Sequence, residues 1–408
     1  MVLIKIAWRS LWRSKLRSAV VIFAIASGLV GGLFSSAWMN GMAQQRVKNT
    51  FAYEIGHVQL HNPVYDENTD VKKTIKNTAE KIKYLQDKNS VIGVTERILV
   101  TGMSATANKN MGVNIIGVDP KQEKQVFEIY KKIDTASGDF FEAKKKNSIV
   151  ISRALADELK ARLKSKIILT FQDYNGEITG AAFKVVGIYR TDNNPWDKMH
   201  VFVKNDDLRR VLDLPKDQAH EIVLLLDDFE KAEMLAGELQ NKFPDEKIED
   251  WAEVSPYLSL MSGYMDTMMG LFMVIILGAL GFGIVNTMLM VVLERTRELG
   301  MLMAIGMNKR RVFFMIMLET IFLALVGAVF GEILSVLLIN YFNTAGIDLS
   351  SYAEGMESVG YAAITYPMLE GYRYIQITVL VIFTAIIASI YPALKALKLH
   401  PAEAIRSI

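Results

Sequence analysis

Two histidines in this sequence have a spacing that would place both on one metal ion. His57 and His61 are four residues apart, and on a helix they would bind zinc together with a third ligand. However, residues 54–62 alternate as a strand does, and on a strand the two positions share a face about 13 Å apart. We therefore predict surface or sheet-face histidines and no metal site. The sequence suggests no partner for His200 or His220.

The rest of the sequence lacks the usual catalytic motifs. The chain contains no cysteine, which excludes a disulfide framework, a thiolate metal site and a cysteine nucleophile. It has no phosphate-binding glycine loop, no HExxH motif and no serine nucleophile elbow. The formal net charge is +2 over 408 residues, so nothing suggests a nucleic-acid partner. We predict no catalytic residue, no cofactor bound by this chain and no ATP hydrolysis by it.

Four apolar stretches dominate the sequence, and each is long enough to cross a membrane as a helix. A helix needs about 20 apolar residues to span the hydrocarbon core, and only Glu319 and Glu332 interrupt the third stretch. The predicted organisation is an amphipathic helix with the first span in residues 1–43, an outside domain with a stalk in 44–264, the second span in 265–293, a loop in 294–311, the third span in 312–342, an outer loop in 343–372, the fourth span in 373–394 and a tail in 395–408.

The residues before the first span have the pattern of a helix that lies on the membrane surface. One face is basic and its neighbour is apolar and aromatic: Lys5, Arg9, Arg13 and Arg17 against Ile4, Trp8, Trp12 and Leu16. Tryptophan suits the depth of the lipid headgroups. A cleaved signal peptide is the alternative, because Ser35 and Ala37 would suit a signal peptidase. The length of the apolar stretch favours an anchor.

Basic residues in the short loops predict the orientation of the spans. Five lie in the first seventeen residues, without an acid, and five lie in the loop at 294–311. The outer loop at 343–372 has four acids and no Lys or Arg. Both termini are therefore expected in the cytoplasm, with the large domain on the other side of the membrane.

The outside domain has the mixed periodicity of an α/β fold. Helical spacing is found at 70–88, 152–163 and 228–243. Strand candidates are 55–60, 94–101, 111–118, 147–152, 166–173, 182–190, 199–204 and 220–226. Asn175-Gly176 fits a hairpin turn. We predict that residues 119–219 form an inserted subdomain and that residues 251–266 extend the second span as a stalk.

The loop between the second and third spans is predicted to hold a short helix. Gly306 suits the C-terminal cap of that helix. Asn308 suits the N-cap of the next helix, with Met307 and Val312 as its hydrophobic staple. The loop is therefore predicted to be a short helix that lies across the cytoplasmic side, followed by the start of the next helix.

This short helix would present an apolar face formed by Leu299, Leu302 and Met303, with nothing of its own chain to bury it. An exposed apolar patch, rimmed here by Arg297 and Glu298, is typical of a docking site for a partner protein. An interfacial turn embedded among lipid headgroups is the alternative.

Two pairs of glycines in the spans predict close helix packing. Gly28 and Gly32 in the first span, and Gly327 and Gly331 in the third, are each four residues apart. Glu332 would cost on the order of 2.5–3.5 kcal/mol if it faced lipid at the core of the membrane, so we expect it inside the bundle or near the outer interface. We expect Glu319, nearer the cytoplasmic end, to reach water.

Three motifs in register resemble the FtsX-like, MacB-type ABC transporter permeases. The run at 294–300 (ERTRELG), with Ala304 and Gly306, is similar to the coupling loop of that family. Residues 7–18 resemble the amphipathic helix that precedes the first span, and residues 391–408 resemble the closing signature. The run at 149–159 is similar to a segment of the extracytoplasmic domain. The sequence departs at Met303, where many relatives carry an arginine, which puts one contact to the ATPase in doubt.

The resemblance implies a type VII ABC permease, with four transmembrane helices and a mixed α/β extracytoplasmic domain inserted between the first two. It implies pairing with a second permease chain, identical or a similar paralogue. It also implies two copies of a separate cytoplasmic ABC ATPase, which holds the ATP and magnesium. The residues that match the coupling loop are Glu294, Arg295, Arg297, Glu298, Leu299, Leu302, Met303 and Gly306.

Within the family, the four-span order and the outer loop resemble the lipoprotein-releasing (LolC/LolE) type. We therefore predict ATP-driven mechanical extraction of lipoproteins from the outer face of a bacterial inner membrane, with the large domain in the periplasm. Met265, Met269 and Phe272 would line a substrate cavity between the first and second spans of two subunits, and a periplasmic acceptor or adaptor is a further expected partner. The alternatives are a MacB-like efflux permease for peptides or amphiphiles and an FtsX-like mechanotransmitter that regulates an extracellular enzyme.

Overall fold

The computed structural model describes residues 7–9, 13, 15–64, 70–141 and 145–397, without the side chains of Arg17, Ser262 and Asp266. Much of the predicted N-terminal amphipathic helix, and the closing signature from residue 398 onward, lie outside the described residues. The chain divides into two units. The helical unit comprises residues 1–43, 262–348 and 364–408, and the α/β unit comprises residues 44–261 and 349–363.

Long helices lie toward the two ends of the described chain, and most of the strands lie between them. The helices are α1 (Lys15–Thr50), α2 (Thr78–Gln86), α3 (Pro120–Val126), α4 (Arg153–Leu159), α5 (Asn194–Met199), α6 (Asn205–Leu212), α7 (Ala232–Lys242), α8 (Trp251–Val254), α9 (Pro256–Glu294), α10 (Thr296–Ala304), α11 (Lys309–Ala345), α12 (Ala353–Ser358) and α13 (Gly371–Leu397). The strands are β1 (Val58–His61), β2 (Ile75–Lys76), β3 (Val91–Ala105), β4 (Asn110–Val118), β5 (Ile133–Gly138), β6 (Ser148–Ser152), β7 (Lys166–Gln172), β8 (Ile178–Tyr189), β9 (His200–Lys204), β10 (Gln218–Ala219), β11 (Glu221–Leu226), β12 (Lys247–Asp250), β13 (Ile347–Asp348) and β14 (Ile364–Thr365).

Four helices of the described chain, α1, α9, α11 and α13, are long and apolar enough to cross a membrane. They enclose one apolar core, to which α1 contributes Ile25 and Leu29, and α11 contributes Ala324 and Ala328. The predicted fold class, four transmembrane helices plus a mixed α/β domain, is confirmed. The segment predicted as a stalk falls on α8 and on the first turns of α9.

Glycines set the spacing between α11 and α1. A Cβ atom on Gly331 would lie 3.0 Å from both Cα and O of Ala26, and one on Gly327 would lie 2.9 Å from Cβ of Ile25. At these two positions the backbones of the helices approach as closely as small residues allow.

The glycine pair of the first span has a different neighbour, α9. A Cβ on Gly28 would meet Leu280 at 2.7 Å, whereas one on Gly32 would come no closer than 3.6 Å to any described atom, the nearest being Sδ of Met273. The contact at Gly28 is with the end of a flexible side chain, and the contact at Gly32 is ordinary van der Waals packing. The first-span pair is therefore less constrained than the pair in α11.

The α/β unit is built on a ten-stranded sheet with the order β12-β1-β11-β3-β4-β9-β6-β8-β5, and β7 pairs with both β3 and β8. The pairs β4–β9 and β6–β8 are parallel, and the other pairs are antiparallel. Helices α2 and α7 pack on one part of the sheet through residues such as Leu85 and Leu239. Helices α4 and α6 pack on another part through residues such as Leu159 and Leu212.

Most predicted strands are present, and β7 shows the clearest alternation. Along β7, exposed and buried residues alternate over the whole strand, and the β7–β8 hairpin turns through Asp173–Glu177, where Gly176 has φ +89°. The carboxylate of Asp173 accepts hydrogen bonds from the backbone of Asn175 and Glu177. The predicted hairpin turn is confirmed. Residues 119–219 contribute strands to the same sheet as β3 and β4, so the sheet is continuous through that stretch.

The helix predicted at 70–88 is wrong in its first half. Ile75 and Lys76 form β2, which pairs with β10, and Asn77 has a left-handed φ of 54° that ends the extended segment. Helix α2 begins only at Thr78. The side chain of Ile75 is buried in the core below the sheet, and this long-range packing overrides the helical spacing of the local sequence.

Candidate functional site

The short helix α10 ends in a Schellman motif. The backbone N–H of Met307 donates to the carbonyl of Leu302 at 3.0 Å, and the N–H of Gly306 donates to the carbonyl of Met303 at 3.1 Å. Gly306 has φ +100°, a conformation that glycine adopts more readily than other residues. The predicted C-terminal cap at Gly306 is confirmed.

Helix α11 begins directly after this turn. The side chain of Asn308 accepts a hydrogen bond from the N–H of Arg310 at 3.2 Å, which is the predicted N-cap. Val312 is buried, and Met307 packs against the same core, as a hydrophobic staple would. The two caps leave only four residues between α10 and α11, so the direction of α10 is tied to the start of α11.

The predicted docking face of α10 is covered by its own chain. Leu299 is only 2% exposed and lies in the core of the helical unit, and Leu302 and Met303 pack against that core. The prediction that nothing of this chain buries these residues is therefore wrong. Helical spacing of apolar residues identifies a buried face, but it does not say whether a partner or the same chain covers it.

The exposed face of this segment carries a different set of residues. Met301 is 49% exposed and Ile305 is 86% exposed, and Arg297 is exposed as well. Their four-residue spacing places the three on one side of the helix. We call Arg297, Met301 and Ile305 the outer stripe. The sequence interpretation missed Met301 and Ile305, although their spacing from Arg297 was a usable signal.

A chain of alternating charges lies beneath α10. Arg295, between α9 and α10, places Nη1 2.8 and 3.0 Å from the two carboxylate oxygens of Glu319. Its Nε donates to Oε2 of Glu298 at 3.1 Å. The other oxygen of Glu298 lies 3.5 Å from Nη2 of Arg13. We call these four residues the ion-pair chain.

The ion-pair chain changes the assignment of one predicted coupling residue, Arg295, and the expected environment of Glu319. Arg295 points toward α11, with its side chain 18% exposed, and Glu319 is buried at 7%. The expectation that Glu319 reaches water is wrong. Its side chain is buried, and its carboxylate pairs with the guanidinium of Arg295. Glu298 is partly exposed and engaged by Arg295, while Glu294 and Arg297 lie at the exposed surface.

The three residues predicted to line a substrate cavity do not share one environment. Met269 is 6% exposed, whereas Phe272 is 49% exposed, and Met265 is intermediate. The outward-facing residues beside Phe272 on α9 are Met268, Leu271 and Ile275. Within one copy of the chain, therefore, Phe272 is half-exposed and Met269 is buried.

His57 and His61 are buried residues of the α/β unit rather than surface residues. Nδ1 of His57 accepts from the N–H of Leu226 at 3.1 Å, and a ring nitrogen of His61 lies 2.9 Å from Oε1 of Gln59. Burial lowers the pKa of each to about 4. Among the described residues, no group of three histidine or acidic side chains is arranged to hold a metal.

His200 and His220 also have partners that the sequence did not suggest. The ring of His200 stacks on Trp196 with 4.4 Å between centroids. Nδ1 of His220 accepts from the N–H of Leu99 at 3.2 Å, and Nε2 lies 3.1 Å from the carbonyl of Val71. Burial lowers the pKa of both histidines to about 4, so both are neutral at physiological pH.

A buried arginine forms the main polar cluster of the α/β unit. Arg97 on β3 is 2% exposed. Its Nη2 lies 2.6 Å from Oε1 of Glu123 and its Nη1 lies 3.6 Å from Oε2 of Glu221. Burial raises the pKa of Glu221 to about 7. The cluster borders a cavity of about 650 Å³. No sequence motif predicts this cluster.

Comparisons with known proteins agree with this architecture. Residues 18–242 match the model of the MacB-like periplasmic core domain, and residues 270–401 match the model of the FtsX-like permease C-terminal region. The chain is 23% identical to the lipoprotein-releasing system transmembrane protein LolE of Haemophilus influenzae, an alignment that covers 94% of this chain and 92% of that protein.

Two further matches cover less of the chain. The macrolide export ATP-binding/permease protein MacB of Campylobacter jejuni is 31% identical over 31% of this chain and 17% of that protein. The solved periplasmic region of MacB from Actinobacillus actinomycetemcomitans gives a TM-score of 0.36 at 12% identity, over 53% of this chain and 98% of that one. Since the model of the MacB-like periplasmic core domain matches more than half of the sequence and the FtsX-like model matches the part that follows, the chain belongs to the MacB-like family of ABC transporter permeases.

Proposed function

We propose that this permease couples ATP hydrolysis by a separate cytoplasmic ATPase to the extraction of lipoproteins from the outer face of a bacterial inner membrane. One observation carries the coupling part of the proposal. Helix α10 is capped at its C-terminus, pinned by Arg295 and seated on the core of the helical unit, yet it presents the outer stripe to the surrounding medium. A rigid element with an exposed apolar stripe is suited to receive a partner.

The outer stripe revises the predicted contact with the ATPase. Met301 and Ile305 supply the apolar contact, and Arg297 and Glu294 supply charges beside it. On the other side of α10, Leu299, Leu302 and Met303 pack this helix against the core of the helical unit. Met303 packs against the core of the helical unit. The apolar contact that we propose with the ATPase therefore does not involve position 303, where many relatives carry an arginine.

The remaining parts of the proposed assembly rest on the resemblance to the family. Two permease chains, identical or paralogous, pair in the membrane, and each binds one copy of an ATPase that holds ATP and magnesium. This chain supplies no catalytic residue. The basic residues of the short loops favour a cytoplasmic position for α10 and both termini, and in this proposal the α/β unit lies in the periplasm, where a lipoprotein acceptor or an adaptor would meet it.

The substrate class is inferred from the lipoprotein-releasing relative, which aligns over nearly the whole length of both chains. Exposed apolar side chains on α9, such as Phe272 and Leu271, suit contact with acyl chains at the interface between two copies. In this proposal Phe272 contacts the lipid directly, and Met269 lies behind it as packing.

Affinity purification of the tagged full-length permease from its native membrane tests the coupling surface. The co-purifying ATPase is quantified by mass spectrometry for the parent protein, for Met301→Asp and for Ile305→Asp. We expect each variant to recover about tenfold less ATPase, because a charge would be buried at the centre of an apolar contact. Ile178→Asp is the matched control, since Ile178 is 80% exposed on the β7–β8 hairpin and should leave recovery unchanged.

Equal recovery of the ATPase with Ile305→Asp, or no ATPase with the parent protein, would reject the coupling surface. The same samples test the substrate: acylated lipoproteins recovered with the parent protein support lipoprotein release. An ATPase recovered with an adaptor and without lipoproteins would favour a MacB-like efflux permease, the second candidate, which the local 31% identity to the macrolide exporter supports. An ATPase recovered with a cell-wall enzyme would favour an FtsX-like mechanotransmitter.

A further inference from the structure

We propose that the ion pair between Arg295 and Glu319 is the joint through which α10 moves the third span, and that the outer loop after this span passes the motion to the α/β unit. This inference rests on the proposed function, because it assumes that an ATPase displaces α10. It assigns Arg295 and Glu319 a positioning role in transmission and removes Arg295 from the docking surface.

The geometry of Arg295 makes it suited to such a joint. Arg295 lies between the last residue of α9 and the first residue of α10, with φ −96° and ψ 13°. The backbone therefore departs from helical geometry at this residue. Its Nη1 contacts both oxygens of Glu319 on α11. An ion pair therefore links the turn between α9 and α10 to a third helix, α11.

Burial makes this fastening difficult to release. The Glu319 side chain is 7% exposed and the Arg295 side chain is 18% exposed. Separating two buried charges leaves each without a counter-charge in a poorly solvating environment. A displacement of α10 should therefore carry α11 with it, because stretching the pair is less favourable than moving both helices together.

Two further contacts join the N-terminal segment to α10 and to α11. Glu298, in the first turn of α10, bridges Arg295 and Arg13. Trp8 packs edge to face on Phe322 of α11, with 5.5 Å between ring centroids. The N-terminal segment, α10 and α11 are thus held together around Glu319.

The far end of α11 leads into a loop that belongs to the other unit. Residues 349–363 group with the α/β unit by their contacts. Within that unit the carboxylate of Glu357 accepts from Nη2 of Arg190 at 2.8 Å and from Nδ2 of Asn194 at 3.1 Å. Glu357 is buried at 6% exposure, so the loop is held firmly. Motion of α11 would reach the α/β unit through this attachment.

Hydrogen–deuterium exchange on the full-length permease with its co-purified ATPase tests the joint without knowledge of the substrate. Exchange in residues 349–363 is compared between the nucleotide-free complex and the complex trapped with ATP and vanadate. For the parent protein we expect trapping to change the exchange rate of this segment about threefold or more. For Glu319→Gln we expect that change to disappear while ATPase recovery stays within about twofold of the parent.

Two variants make the result specific to the pair. The charge swap Arg295→Glu with Glu319→Arg, made together with Glu298→Gln so that the carboxylate introduced at position 295 does not face a second one, should restore the exchange response, because the attraction is restored with its direction reversed. Glu332→Gln is the matched control, as a second carboxylate of α11 outside the ion-pair chain, and it should respond as the parent does.

The outcomes separate this inference from the proposed function. A full exchange response in Glu319→Gln with the ATPase bound would overturn the joint and leave the coupling surface intact. Loss of the response in Glu319→Gln without recovery in the charge swap would also overturn it, since an ion pair would then not be the cause. Failure of the parent protein to bind an ATPase would instead reject the proposed function, and this inference with it.

Discussion

Nη1 of Arg295 lies 2.8 Å from one carboxylate oxygen of Glu319 and 3.0 Å from the other. The two residues are 24 positions apart in sequence, and one lies in a loop while the other lies in a membrane span. An isolated carboxylate at this position would be expensive, since a charged side chain in a span costs on the order of 2.5–3.5 kcal/mol. The loop therefore supplies the charge that makes Glu319 tolerable in α11.

Removal of Glu319 should destabilise the helical unit. We expect Glu319→Ala to lower the free energy of unfolding by about 3 kcal/mol, because Arg295 would lose its buried counter-charge. Thermal unfolding of the detergent-solubilised permease, followed by tryptophan fluorescence, measures the effect. Glu332→Ala on the same helix is the control and should change stability by less than about 1 kcal/mol. Equal shifts for the two variants would mean that the pair contributes no specific stability.

The glycine contact between α11 and α1 should not tolerate a methyl group. A Cβ on Gly331 would lie 3.0 Å from backbone atoms of Ala26, and backbone atoms cannot move aside as a side-chain end can. We expect Gly331→Ala to lower the free energy of unfolding by about 1–3 kcal/mol. Gly283→Ala in α9 is the control, since its Cβ would meet no described atom within 4 Å. A neutral result at Gly331 would show that the helices can separate without loss.

The turn after α10 should be sensitive to the loss of its glycine. Gly306 has φ +100°, and a Cβ there would meet no described atom within 4 Å, so the expected effect of Gly306→Ala is purely conformational. We expect a loss of about 1 kcal/mol in unfolding free energy and a weaker hold on the ATPase.

Two substitutions calibrate this prediction about Gly306. Gly306→Asn should be milder than Gly306→Ala, because asparagine tolerates left-handed conformations. Gly237→Ala, inside α7, should stabilise the protein slightly, since alanine is the better helix former. Thermal unfolding and ATPase recovery measure both, and a larger effect for asparagine than for alanine would contradict the role of the turn.

The stability of the α/β unit should depend on the protonation of Glu221. Burial raises the pKa of this carboxyl from 4.5 to about 7 in the folded protein. As the pH rises from about 4.5 to about 7, the unfolded chain releases the proton while the folded protein still holds it, so folding becomes less favourable over that range. Glu221→Gln cannot ionise and escapes this loss.

We therefore expect the stability difference between Glu221→Gln and the parent protein to shift in favour of the variant between about pH 5 and pH 7 and to level off above about pH 7. Thermal unfolding midpoints at several pH values measure it. The buried histidines are common to both proteins, so their effect cancels in the difference. A difference that stays constant with pH would contradict the raised pKa.

Sequence alone predicts those parts of this fold in which the type of each residue and the spacing of its neighbours determine the local structure. The alternation along β7 and the charge-free stretch at 374–394 in α13 belong to this class, and so do the caps at Gly306 and Asn308, because a turn is determined by the residues within it. The helix predicted at 70–88 fails because Ile75 is fixed by pairing with Ala219, on a strand far away in the sequence.

The candidate site was predictable only in part for the same reason. The periodicity of α10 correctly separates Leu299 from Arg297, but it assigns the apolar side to a partner when the bundle itself covers it. The pairings of Arg295 with Glu319 and of Arg97 with Glu123 join residues that are distant in sequence. No local pattern marks either pair, because the residues next to a charged side chain in sequence do not show whether a distant partner will bury it.

The attachment of Glu357 to Arg190 and Asn194 has a practical consequence for anyone who wishes to study the α/β unit by itself. A soluble fragment cut at residues 44 and 261 would omit the loop at 349–363, although that loop belongs to the same unit. Arg190 and Asn194 would then face solvent in place of a buried carboxylate. Grafting the loop back through a short linker would complete the unit, so the natural boundary of this domain is discontinuous in sequence.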